Sequence, residues 1–318
     1  MSDEARAARR GWLLHLGIVA LLAGAWFALP AYHTGNLARI LVLATYALGY
    51  NLVFGYTGLL SLGHALFFAA GLYGLALAMR HAELAAVPAF AVGLVSAGAV
   101  AAAVGALALR TRGVAFMIVT LMFAQAGYLL TLYAGAFTRG DEGFVIPRAA
   151  RAIAGVDLAD ERTRYFAALL LFACTFLALG HLVRTGFGRS LVAIRENEER
   201  ARLLGYDVQR IKLVAVIVSG VVSGAAGAAY ALLFGYAGAT FASVQYSILP
   251  LLWVLLGGAG TTVGPLIGTL FMFYLVDLAS EITDAYLLVV GVALIGLTLF
   301  LPLGIAGELR RRVAPWLP

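Results

Sequence analysis

Long apolar runs, interrupted by two extensive charged segments at 137–164 and 184–212, restrict what this sequence can fold into. About ten runs follow one another, and most approach the roughly 20 residues that an α-helix needs to cross a bilayer. They lie roughly at residues 12–29, 37–54, 65–79, 87–109, 114–136, 165–183, 213–234, 247–256, 265–279 and 285–303. Charged residues make up only 12% of the chain, whereas soluble domains carry about 25%. We therefore predict an all-α, polytopic membrane protein with about ten transmembrane helices.

The distribution of basic residues predicts the orientation of these helices. If the N-terminus lies inside, alternating crossings place 15 of the 22 basic residues in inner segments. The positive-inside rule then puts both termini in the cytoplasm. We expect one transmembrane domain in two weakly repeated halves, at 12–136 and 213–303. Between them lie an outer loop at 137–164 and a cytoplasmic loop at 184–212.

The cytoplasmic loop at 184–212 is predicted to contain an ordered helix. Eleven of its 29 residues are charged. Two acid–base pairs are spaced four residues apart with the acid first, which favours a helix. These pairs are Glu196 with Arg200 and Glu198 with Arg202. Gly205 is placed to end this helix, and Asp207 to cap the next one. The pairing and the caps favour a helix at 196–204 that docks on a partner protein, rather than a plain connecting loop.

Two glycine-rich segments interrupt the apolar pattern at matching points of the two halves. They are GYTGLLSLGH at 55–64 and LGGAGTTVGP at 256–265. Interrupted helices in corresponding positions of two halves indicate a transport path, because irregular backbone at membrane depth must be buried or line a wet cavity. Ordinary turns at the inner membrane surface are the alternative. The residues that we assign to the path are Thr57, Gly58, Ser61, Gly63, His64, Gly257, Gly258, Gly260 and Gly264.

The sequence carries no pattern typical of an enzyme or of an ATP-binding protein. The phosphate-binding pattern GxxxxGK[ST] is absent, as are HExxH, GxSxG and any cluster of His, Cys and carboxylates. We therefore expect no catalysis, no metal site and no cofactor. An ion-coupled secondary carrier would need ionisable relays inside the membrane, and the apolar runs offer almost none. A lone histidine such as His64 is more often a hydrogen-bonded structural residue than a switch.

The sequence resembles the permease subunits of the branched-chain amino acid ABC importers, of the branch with a long charged cytoplasmic loop. The segment RGDEGF resembles an outer-loop motif in which a glycine often stands at the position of Arg139. The resemblance covers about residues 37–309. The motifs that carry it are NLVFGYTGLLSLGHALFFAAGLYG at 51–74, GRSLVAIRENEERARLLGY at 188–206, LLGGAGTTVGPLIGTL at 255–270 and LPLGIAGEL near the C-terminus.

This resemblance implies two permease subunits and two cytoplasmic ATPase subunits that bind the ATP, fed by a periplasmic binding protein at the bacterial inner membrane. The second permease could be a homologous chain or a copy of this one. Substrates would be branched-chain or related amino acids, with urea, short amides or another small polar solute as the alternative. Membrane lipid surrounds such a chain, and no nucleic acid is expected.

Two sets of residues are assigned to contacts with these partners. The residues assigned to ATPase coupling are Arg195, Glu196, Glu198, Glu199, Arg202, Leu203, Leu204 and Gly205. The residues assigned to docking of the binding protein are Arg139, Asp141, Glu142, Arg148 and Arg151.

Overall fold

The computed structural model describes residues 3–153 and 155–312, which form a helical bundle with four very short strands. Each of the ten predicted apolar runs falls on a helix. A π-helical turn at Leu52–Tyr56 extends α2, and 3-10 turns lie at Arg148–Arg151 and Ala239–Ala242. The helices are α1 (Asp3–Ala28), α2 (Ala31–Asn51), α3 (His64–His81), α4 (Ala86–Ala108), α5 (Val114–Tyr133), α6 (Gly135–Thr138), α7 (Glu161–Leu182), α8 (Gly186–Glu196), α9 (Glu198–Leu203), α10 (Val208–Phe234), α11 (Val244–Gly257), α12 (Gly264–Ile282), α13 (Tyr286–Phe300) and α14 (Gly304–Arg312).

Seven helices of the described chain are long and apolar enough to cross a membrane. They are α1, α2 with its π-helical turn, α4, α5, α7, α10 and α12. With 14 and 15 residues, α11 and α13 are short for a full crossing of about 20 residues. The predicted class, an all-α multi-pass membrane protein, is confirmed. The number of about ten crossings, the position of both termini inside and the repeat of two halves stay predictions.

Helix α10 packs closely against α3 and α4 through a row of small residues. A Cβ atom on Gly220 or Gly224 would overlap the side chain of an alanine in α4. A Cβ atom on Gly227 would overlap the carbonyl oxygen of Phe68 in α3. Small residues four apart allow such close approach of helix backbones in membranes. The partner of this face therefore lies in the same chain.

Replacing Gly227 by valine is expected to destabilise the bundle. The new side chain would meet backbone atoms of α3, which cannot move aside as a flexible side chain could. Overpacking of this kind typically costs about 1–3 kcal/mol, and we expect the upper end of that range. Gly291→Val is the matched control, because a Cβ atom there meets nothing within 4 Å. Thermal unfolding in detergent measures both variants, and equal midpoints would contradict the packing described here.

The outer loop is folded and attached to the end of α10. Strand β1 (Phe144–Val145) pairs antiparallel with β4 (Tyr236–Ala237), and β2 (Ala152–Ile153) pairs antiparallel with β3 (Val156–Asp157). The backbone N–H of Ile146 also donates to the carbonyl oxygen of Gly235 at 2.8 Å. These contacts give the loop a fixed position over the end of the bundle.

The cytoplasmic loop departs from the predicted single helix at 196–204. Asn197 has an extended backbone (φ −158°, ψ 102°), and its side chain accepts a hydrogen bond from the N–H of Arg200 at 2.8 Å. Asn197 is therefore an N-cap, which ends α8 at Glu196 and starts α9 at Glu198. The predicted pair of Glu196 with Arg200 is split between two helices.

The two predicted caps of this loop are confirmed. Gly205 has φ 88°, and the N–H groups of Gly205 and Tyr206 donate to carbonyl oxygens of α9 at 3.1 and 3.2 Å. This is the double hydrogen bond of a Schellman motif, which favours glycine at its left-handed position. The carboxylate of Asp207 accepts from the N–H of Arg210 at 3.1 Å and so caps α10. Caps at both ends set the direction in which α9 leaves the bundle.

Candidate functional site

The two glycine-rich segments contact each other although 191 residues lie between them, from 65 to 255. Asn51, at the end of α2, accepts from the N–H of Gly260 at 3.0 Å and donates to the carbonyl oxygen of Thr261 at 2.8 Å. A Cβ atom on Gly260, which has φ 76°, would lie 3.0 Å from the carbonyl oxygen of Gly55. Asn51 is buried, so these bonds satisfy irregular backbone inside the protein. Asn51 is not among the residues that the sequence assigned to the path.

His64 starts α3 in a fully buried position, and both of its ring nitrogens have partners. Nε2 lies 2.9 Å from Oγ of Ser219 in α10, and Nδ1 lies 3.1 Å from Oγ of Ser61. Ser219 donates its one hydroxyl proton to the carbonyl oxygen of Gly49, so Nε2 of His64 must carry the ring proton. Ser61 then donates to Nδ1 while it accepts from the N–H of Gly63 at 3.2 Å. This network agrees with the interpretation of His64 as a structural residue.

The first turns of α3 and α11 meet in the interior of the bundle. The N–H of Ala65 donates to Oγ of Ser247 at 3.0 Å, and both residues are fully buried. Aromatic rings pack beside this contact, with the ring of Phe68 lying 5.3 Å from Tyr246 and 6.0 Å from Phe241 between centroids. The bundle is therefore closed at this level. Sequence reasoning missed Ser247 and these rings; the only signals were that Ser247 begins the apolar run at 247–256 and that Phe68 lies in the run at 65–79.

Arg195, in the last turn of α8, connects the charged loop to both glycine-rich segments. Its guanidinium group donates a hydrogen bond to the carbonyl oxygen of Gly55. A Cβ atom on Gly260 would lie 2.8 Å from Nη1 of Arg195, and one on Gly58 would lie 2.9 Å from its Cγ. The absence of side chains at these two glycines leaves the space that Arg195 occupies. One side chain of the loop thus contacts both segments, which also contact each other.

The start of the second glycine-rich segment packs against α14, which the sequence did not predict as a helix. A Cβ atom on Gly258 would lie 2.7 Å from the backbone nitrogen of Gly307. Gly257 and Gly264 also approach each other so closely that neither has room for a side chain. Within α14, Glu308 is buried and forms ion pairs with Arg311 and Arg312 at 2.5 Å. The C-terminal helix therefore fixes the end of α11.

Helix α9 is joined to the first turns of α10 by an ion pair. Oε2 of Glu198 lies 2.5 Å from Nζ of Lys212, and Oε1 lies 2.8 Å from the guanidinium of Arg202. Burial raises the pKa of the Glu198 carboxyl, but Lys212 and the nearby arginines outweigh burial, so this pKa lies below its ordinary value. Leu203 and Leu204 stand at the end of α9 with 88% and 71% of their surface exposed.

A polar cavity of about 230 Å³ separates the first glycine-rich segment from the charged loop. Thr57 and Gly58 line one side of it, and Glu196, Glu198 and Lys212 line the other. Glu199 is exposed on α9, outside this cavity.

The residues assigned to docking of the binding protein lie on the folded outer loop. Arg148 forms an exposed ion pair with Asp157 at 2.6 Å, and Asp141 is exposed. Arg139 and Glu142 line a cavity beneath the loop. Arg151 is partly buried and donates to the carbonyl oxygen of Leu233 at 3.3 Å, which attaches the loop to α10.

Comparison with known proteins assigns the chain to a family. Residues 32–301 match the family described as branched-chain amino acid transport system, permease component. The chain belongs to this family. The resemblance inferred from the motifs is thus confirmed, and the chain is the permease component of a membrane transport system.

Individual relatives agree with this assignment. The chain is 29% identical over 321 residues to the high-affinity branched-chain amino acid transport system permease protein LivM of Escherichia coli (strain K12), an alignment that covers 92% of this chain and 74% of the relative. LivM of Salmonella typhimurium is 28% identical over the same shares of both chains. A probable LivM of Methanocaldococcus jannaschii is 29% identical over 156 residues, 48% of this chain and 44% of that protein. No solved structure gives a significant match.

Proposed function

We propose that this chain forms the translocation path of an ATP-binding-cassette importer for branched-chain or related amino acids in the bacterial inner membrane. The family and the names of the relatives support this class of substrate. The observation that carries the coupling role is the contact of Arg195 with both glycine-rich segments. The chain itself has no catalytic role and holds no cofactor.

The same contacts suggest how ATP binding in partner subunits would open the path. Closure of two ATPase subunits moves α9, which moves α8 because the two helices share the cap at Asn197. Arg195 then displaces Gly55 and Gly260 together, since Asn51 joins the two segments. This displacement separates the first turns of α3 and α11. A set of packed helices with two stable arrangements converts a local movement at α9 into a change of the membrane side to which the path is open.

The remaining partners follow from this function. A second permease subunit completes the path, two cytoplasmic ATPase subunits bind the exposed end of α9, and a periplasmic binding protein delivers substrate to the outer loop. Because the binding protein captures the substrate, the path itself needs only weak affinity. Membrane lipid covers the exposed apolar faces of helices such as α5 and α13.

Uptake by the reconstituted importer tests this function. The complete complex in proteoliposomes is expected to take up labelled leucine only with ATP and binding protein, and excess unlabelled urea is expected not to compete. The purified chain alone is expected to hydrolyse no ATP, because its sequence has no phosphate-binding loop. Leucine uptake driven by an ion gradient without ATPase subunits would contradict the proposal and favour a secondary carrier.

A further inference from the structure

A cavity of about 700 Å³ opens between the end of α3 and the outer loop. Its lining combines three charged side chains with apolar ones. The charged residues are Arg80, Arg139 and Glu142, and the apolar ones include Met79, Phe144 and Ile146. A concave apolar site with a few convergent polar groups is the usual form of a small-molecule site.

The charged groups of this cavity are available to a ligand. Within residues 3–153 and 155–312, Arg80, Arg139 and Glu142 take part in no ion pair. The guanidinium of Arg80 lies over the ring of Phe144, 4.8 Å from its centroid. This contact orients the Arg80 cation without neutralising it.

Arg139 occupies its position at a conformational cost. Its backbone is left-handed, with φ 60° and ψ 17°, a region that disfavours residues other than glycine. Retention of a strained backbone at a residue whose side chain lines a cavity is typical of a functional position. The strain therefore points to a use for the Arg139 guanidinium.

A polar group continues from the cavity into the bundle. Tyr73 lies one turn inward from Ala76 and shares a face of α3 with Arg80, seven residues further on. Tyr73 is only 6% exposed, and its hydroxyl has no hydrogen-bond partner among the described residues. Further inward on the same helix lies Ala65, where α3 meets α11. The cavity is thus positioned above the proposed path.

We propose that this cavity receives a free amino acid with an apolar side chain after its release from the binding protein. The α-carboxylate lies between Arg80 and Arg139, the ammonium group lies at Glu142, and the side chain contacts Met79, Phe144 and Ile146. This assignment rests on the proposed transport of amino acids and adds a site for them in the permease itself. Because the charged side chains of Arg80, Arg139 and Glu142 are exposed to solvent, the cavity binds the amino acid weakly. Weak binding permits release of the amino acid into the path.

Ligand analogues can test each charged contact separately. Binding is measured with the permease–ATPase complex in nanodiscs without binding protein, using leucine, 4-methylpentanoate (no ammonium group) and 3-methylbutylamine (no carboxylate). Arg80→Gln is expected to weaken leucine and 4-methylpentanoate about tenfold or more, as loss of a charge-assisted contact would, and to leave the amine unchanged. Glu142→Gln is expected to weaken leucine and the amine but not the acid. Arg162→Gln, an exposed arginine at the start of α7 and outside the cavity, is the control and should bind all three normally.

Two outcomes would overturn the site. One is unchanged leucine binding in both Arg80→Gln and Glu142→Gln, and the other is no leucine binding by the unmodified complex at millimolar concentrations. ATP-driven uptake by the complete importer separates this failure from a failure of the proposed function. Normal leucine uptake with either outcome overturns the reception site alone, whereas absent leucine uptake overturns the proposed substrate as well.

Discussion

Replacing Leu203 and Leu204 together by aspartate is expected to abolish assembly with the ATPase subunits and, with it, uptake. These are large apolar side chains at the exposed end of an ordered, capped helix in the cytoplasmic loop. Burial of one leucine stabilises a complex by about 1.5–3 kcal/mol, so loss of both removes about 3–6 kcal/mol. Burial of two unpaired carboxylates in their place adds a further penalty. A loss of this size changes the affinity by more than a hundredfold.

Co-purification of the ATPase subunit with the membrane-inserted permease measures this loss. Arg202→Gln serves as the control, because the Arg202 side chain is half-exposed and exposed ion pairs contribute only about 0.2–1 kcal/mol. Full assembly of the double aspartate variant would show that α9 is only a connecting element. A similar loss in the control would assign the interaction to charges rather than to the two leucines.

Arg195→Ala is expected to retain assembly and ATP hydrolysis but to reduce uptake at least tenfold. The substitution removes the hydrogen bond to Gly55 and the contact with Gly260, and it leaves the exposed end of α9 intact. Gly260→Val should act in the same direction, since its side chain would push against Arg195 from the other side and strain a backbone with φ 76°. Both changes interrupt the same connection between the loop and the path.

Hydrolysis and uptake measured in the same proteoliposomes distinguish uncoupling from general damage. Arg189→Ala, an exposed arginine of the same helix, is the matched control and should retain the normal ratio of uptake to hydrolysis. A proportional fall of both activities in Arg195→Ala would indicate misfolding instead. An unchanged ratio in Arg195→Ala would remove Arg195 from the connection.

The features that are set by residues close together in the sequence, namely the helices and two of their caps, could be predicted from the sequence. The apolar runs predicted the helices, and Gly205 and Asp207 predicted the two caps, because each of these signals acts within a few residues. Asn197 was missed as a helix boundary although asparagine favours the N-cap position. There, the pairing of Glu196 with Arg200 gave the more obvious but wrong signal.

The contacts that build the candidate site could not be predicted in this way. Arg195 and Gly55 are 140 residues apart, and Asn51 and Gly260 are 209 residues apart. Periodicity and capping carry no information about pairs so distant in the sequence. Composition did identify the two glycine-rich segments, but their contact with each other and with the loop follows only from the packing of α2, α8 and α12.

Thiol labelling of Ser61→Cys tests most directly whether the path passes the glycine-rich segments. The variant is made in a Cys174→Ala background, since Cys174 is the only cysteine of the sequence. Ser61 is 2% exposed in the closed bundle described here, so labelling requires the segments to open. In the assembled importer, the site is expected to react with a small water-soluble thiol reagent in at least one nucleotide state and to be protected in another. A site that stays inert in every nucleotide state would contradict the assignment of the path.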